Sequence, residues 1–93
     1  MLATIKVCSI WTIEILSPKQ NQTKVTKNIL YCLNDQTELG WLINPSEESV
    51  FVYYRDRVLE IFDEKTLKLP TPSFAQAFEI TVGELFDWLI DKK

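Results

Sequence analysis

Ninety-three residues are one domain's worth of chain, and 46% hydrophobic residues with only two glycines exclude a disordered or low-complexity polypeptide. A formal net charge of -3 argues against a polybasic binder of nucleic acid or membrane surfaces, though not against an enzyme that meets phosphate through a metal ion. The longest apolar runs fall far short of the ~20 residues a membrane span needs, and residues 1–10 lack the apolar core of a signal peptide, so a cytoplasmic protein without a membrane partner is expected.

Histidine is absent, and Cys8 and Cys32 have no zinc-type spacing. Both read as small, reduced core residues, since free cysteine is usually buried. A chain of this size buries only about 60–65% of the surface its unfolded form exposes, so a partner subunit would add to a thin stability margin.

In chain order, residues 4–10 and 11–16 are rich in β-branched and aromatic side chains and close at Ser17-Pro18, which predicts one or two strands. In the second, Trp11, Ile13 and Ile15 share one face, and Thr12, Glu14 and Leu16 the other. Over residues 23–34, Val25, Ile29, Cys32 and Leu33 recur at i, i+4, i+7 and i+8, the stripe of an amphipathic helix. Lys24, Lys27 and Tyr31 form the neighbouring stripe. Residues 41–44, 49–54 and 58–62 read as three strands joined by the turns at Pro45 and at Arg55-Asp56-Arg57, a β-meander. Residues 63–73, with Pro70 and Pro72, read as a loop, and residues 75–80 are ambiguous, with a short strand one option. Thr81 and Glu84 match a capping box that opens a closing helix through Leu85, Phe86, Leu89 and Ile90. Trp41 and Trp88 read as core.

Charge divides unevenly: residues 1–46 carry four lysines against three acids, and residues 47–93 six basic residues against ten acids. The net-positive half holds the first helix, a faint pointer to where phosphate would approach. Within it, Glu14 is a carboxylate between isoleucines on a strand. It can pair with Lys27 of the following helix, hold a divalent cation, or simply sit on an open sheet face in water. Lys24 and Lys27 carry the same alternative, solvated lysines beside an apolar stripe.

The run Trp11-Thr12-Ile13-Glu14-Ile15-Leu16-Ser17-Pro18, then Lys27-Asn28-Ile29-Leu30-Tyr31, then Gly40-Trp41-Leu42-Ile43-Asn44-Pro45 resembles the Uma-type family of restriction-endonuclease-like nucleases in the PD-(D/E)xK superfamily. Thr81-Val82-Gly83-Glu84-Leu85-Phe86, with Trp88-Leu89, is similar to that family's closing helix. The resemblance runs from about Trp11 to Ile90. It implies a metal-dependent DNA endonuclease in which Glu14 and Lys27 are catalytic, Glu14 and the main-chain carbonyl of Ile15 hold Mg²⁺ or Mn²⁺, and DNA is the partner. The family's metal-binding Asp falls on Ile10, with Ser9 in place of the preceding Pro, and family members run longer on the N-terminal side. The expected fold is therefore α+β (α/β-like): one domain, 1–93, a restriction-endonuclease-like mixed sheet flanked by helices, equivalent to the C-terminal half of the family fold with its N-terminal part missing. An uncovered sheet edge or apolar face would then favour a homo-oligomer. Loss of the Asp opens the alternative of a catalytically inactive homologue serving as a binding or assembly module.

Overall fold

The computed structural model describes residues 8–91. They form a four-stranded sheet in the order β1-β2-β3-β4, with β1 Trp11–Ile15, β2 Leu39–Asn44, β3 Ser49–Tyr54 and β4 Leu59–Phe62. Helix α1, Gln22–Asp35, connects β1 to β2, and α2, Val82–Asp91, follows a long connection. β1 and β2 are parallel, with Trp11 opposite Leu39 and Ile15 opposite Ile43. The pairs β2–β3 and β3–β4 are antiparallel, so the sheet is mixed and the fold α+β.

The two faces of the sheet carry different cores. α1 packs on one, with Val25, Ile29 and Leu33 against Leu42 and Tyr53 and with Leu16 at the margin. The other face collects Leu39, Trp41, Ile43, Val50 and Val52 under Leu69, Val82, Leu85 and Phe86. β2 is covered on both sides and all six of its residues are buried, as expected for a continuous apolar run in a parallel pair. Gly40 lies where α1 crosses: a Cβ placed there would come within 2.5 Å of Ile29 Cγ2.

Local signals set the element ends. The Asn21 side chain accepts from the Thr23 and Lys24 amides and caps α1. The C-terminal end of α1 has no basic residue in its last turn. It is met instead from the β3–β4 turn, where Arg57 Nη2 donates to Asn34 Oδ1 at 2.6 Å and Arg55 Nη1 to the Thr37 carbonyl at 3.0 Å. The capping box is present, with Thr81 N donating to Glu84 Oε1 at 2.8 Å and Glu84 N to Thr81 Oγ1 at 3.2 Å.

Several expectations are revised. The first of the two N-terminal strands falls mostly outside the described residues, and Cys8 to Ile10 are irregular. Residues 75–80 hold no strand; a 3-10 turn at Ser73–Ala75 precedes an irregular stretch. Trp41 is buried, but Trp88 is 56% exposed, on the side of α2 that lines a groove with Trp11 and Ile13.

Cys8 and Cys32 are both buried, as expected, yet they are joined in a disulfide, with Cα atoms 5.3 Å apart. The pairing arises because the chain entering β1 runs beside the end of α1. Ser9 offers its carbonyl there to Thr37 Oγ1 and Thr12 Oγ1, Thr12 and Thr37 share a hydrogen bond of 2.7 Å, and Gln36 donates to the Cys8 carbonyl.

Candidate functional site

Glu14 lies on the α1 side of β1, where alternation of the strand puts Thr12, Glu14 and Leu16. Its Oε2 accepts a hydrogen bond of 3.0 Å from Asn28 Nδ2 of α1. Around this pair is a shallow pocket of about 290 Å³ lined by Glu14, Gln20, Asn21, Lys24, Val25 and Asn28. Positions 21, 24, 25 and 28 lie at i, i+3, i+4 and i+7, one helical face, and that face turns toward β1.

Of the residues singled out from sequence, Glu14 and Lys24 meet in this pocket. Lys27 is exposed one step round the helix and does not line it. Asn28 and Asn21 were not singled out. Helical spacing groups Lys24 with Lys27 and Tyr31 as readily as with Asn21 and Asn28, and only the approach of α1 to β1 decides which side lines the pocket.

Main-chain directions along β1 follow from two hydrogen bonds. Leu16 N donates to the Ile43 carbonyl at 2.8 Å, and the Ile10 carbonyl accepts from Glu38 N at 2.7 Å. In a trans peptide the C=O and the next N–H point oppositely. The Ile15 carbonyl therefore points away from β2, and the alternation of the strand gives the same outward direction to the N–H and C=O of Trp11 and Ile13. Among the described residues no strand pairs with that side of β1, so the Ile15 carbonyl lies on its open side.

A hard divalent cation asks for about six oxygens, mainly from carboxylates. Among the described residues no group of three His, Cys, Asp or Glu is close enough to hold a metal, and Glu14 is the one carboxylate lining the pocket. One of its oxygens is engaged by Asn28. Four steps of extended chain separate Ile10 from Glu14, roughly 13 Å between Cα atoms, with Thr12 between them on the same face. A carboxylate at position 10 would thus not be an immediate neighbour of Glu14. Glu38 serves elsewhere, accepting from Ser73 N and Ser73 Oγ, each at 2.8 Å. The donor set present does not complete a divalent-metal site.

Comparison with known proteins is consistent with this frame. The family model Uma2, described as "Putative restriction endonuclease", matches residues 4–83. A crystal structure of "a putative nuclease belonging to DUF820" from Anabaena variabilis ATCC 29413 superposes with a TM-score of 0.85 at 52% sequence identity, over 90% of this chain and 47% of that one. The chain thus spans about half the length of that protein. A comparison with curated proteins returns no match. With most of its length matched by the family model and its sheet and helices by the nuclease structure, the chain belongs to the Uma2 restriction-endonuclease family.

Proposed function

We infer that the chain carries the glutamate-bearing part of a DNA endonuclease site and does not hydrolyse phosphodiesters unaided. The observation behind this reading is the pocket at β1 and α1, in which Glu14 stands with Lys24, Asn21 and Asn28 but without a second carboxylate. Glu14 is its cation-facing acid, the outward Ile15 carbonyl a further oxygen ligand, and Lys24 and Lys27 the cationic groups nearest an approaching DNA phosphate. Mg²⁺ or Mn²⁺ would supply Lewis-acid activation once further acids are present. These have to come from polypeptide beyond the matched half of the family fold or from another chain, so assembly with a partner is part of the reading. The cytoplasm is the expected setting.

A plasmid-nicking assay in Mg²⁺ or Mn²⁺ tests this directly. The chain alone is expected to leave supercoiled DNA intact, at the level of Glu14→Gln. Metal-dependent nicking that Glu14→Gln abolishes would show that the site is complete and overturn the reading.

A further inference from the structure

The bridge between Cys8 and Cys32 lies where the chain entering β1 passes the end of α1. Both cysteines are buried, but exposed chain flanks them on either side: Ser9 and Ile10 after Cys8, and Asn34, Asp35 and Gln36 after Cys32. Helix ends are among the parts of a fold that open locally at low cost, and α1 finishes here without a basic residue in its last turn. Neither cysteine belongs to the apolar clusters on the two faces of the sheet, so the fold as a whole does not rest on the bridge.

What the bridge holds is the junction of helix and strand. The Cys32 carbonyl accepts from the amides of Gln36 and Thr37, the latter at 3.0 Å, and the Ile10 carbonyl accepts from the Glu38 amide at 2.7 Å. The covalent link thus stands between a carbonyl that closes α1 and one that leads into the pairing of β1 with β2. On the helix, Lys24, Asn28 and Cys32 follow one another at i, i+4 and i+8, which puts the bridge one turn from the Asn28 side chain that donates to Glu14. The disulfide and the Glu14–Asn28 hydrogen bond tie the same two segments of chain together.

We propose that Cys8 and Cys32 are a reversible redox site, closed as a disulfide and opened by a dithiol reductant, that latches the start of β1 to the end of α1 beside the Glu14 pocket. The proposal rests on the cytoplasmic setting of the functional reading, because in a reducing cytoplasm a protein disulfide is uncommon and, where it forms, usually transient. With Cα atoms 5.3 Å apart the pair is within bridging distance, and with two cysteines in the chain there is one internal pairing to re-form. Opening begins when a thiolate of the dithiol attacks one sulfur and breaks the S–S bond. The second thiol of the reductant resolves the mixed disulfide, and the reductant leaves as a cyclic disulfide, its two electrons and two protons now on the Cys8 and Cys32 thiols. Closing with oxidised glutathione runs the other way, two glutathione molecules leaving as thiols.

The test uses the oxidised chain under native conditions, treated with dithiothreitol and then with oxidised glutathione, the thiols being trapped by iodoacetamide and counted by mass. Both cysteines are expected to be alkylated after dithiothreitol without denaturant and with the circular dichroism unchanged, and neither after glutathione treatment. Hydrogen exchange of the Thr37 and Glu38 amides is expected to be roughly fivefold or more faster in the open form, with the β2–β3 amides unaffected. Cys8→Ser, where it folds, is expected to exchange like the open form in either redox buffer. Alkylation that requires urea would make the bridge a permanent structural one and overturn the proposal. Loss of the fold on reduction, stable glutathione adducts in place of the re-formed bridge, or equal Thr37 and Glu38 exchange in the two forms would overturn it as well. No step involves DNA or a metal, so failure here is distinguishable from failure of the functional reading.

Discussion

At the scale of single residues, Gly40 and Tyr54 show how closely the site's support is built. The helix that carries Lys24 and Asn28 approaches the sheet over Gly40, where an added Cβ would meet Ile29 Cγ2 at 2.5 Å. Ile29 is fully buried, so its methyl has little room to retreat. Gly40→Ala is expected to cost ~1–3 kcal/mol, as overpacking does, measured as a lower urea midpoint at unchanged m-value. Tyr54 lies on β3 with its hydroxyl donating to Glu60. Burial, reinforced by the bond to Glu60 and the nearby charges of Glu60 and Asp56, pushes the phenol well above its ordinary 10.0. A pKa raised in the folded state means that the unfolded chain loses its proton first. The stabilisation is then complete below pH 10 and disappears as pH rises toward the folded value. Unfolding curves between pH 8 and roughly pH 11 are expected to show the wild type losing stability more steeply than Tyr54→Phe. Parallel slopes would contradict the assignment.

At the scale of elements, α1, the meander and α2 were legible because each is announced by local chemistry. The apolar stripe Val25, Ile29, Cys32 and Leu33 is the buried side of α1, and Thr81 with Glu84 forms the cap of α2. What local pattern did not contain was anything set by contact across the chain. Trp88 is an aromatic of the kind usually found in a core, but it stands half-exposed at the groove beside β1, where among the described residues no further layer covers α2. The lysine beside Glu14 is Lys24, since only the approach of α1 to β1 decides which side of the helix faces the strand. The cysteine pair was hidden for the same reason: a separation of 24 residues says nothing about the chain before β1 lying along the end of α1. That bond ties β1 to the helix that completes the pocket. In the chain-entropy view a closed loop of this length is worth ~3.5 kcal/mol. Reduction with dithiothreitol is therefore expected to lower the unfolding free energy by about that amount, read from denaturant titrations with and without reductant. An unchanged midpoint would mean that the Thr12, Thr37 and Ser9 hydrogen bonds hold the junction unaided.

At the scale of the whole molecule, the chain is a mixed sheet between two unequal layers, matched along its length to about half of a nuclease. Two features stand out among the described residues: an outer strand with apolar side chains, and a polar pocket lined by one carboxylate. The account stands or falls on whether Glu14 by itself makes a metal site. Calorimetric titration of the chain with Mn²⁺, beside Glu14→Gln, measures this without relying on cleavage. The expected result is weak, unsaturated heat below millimolar concentration that is the same for both proteins. Saturable binding at tens of micromolar that Glu14→Gln removes would contradict it, by showing that this chain already holds the cation its family uses.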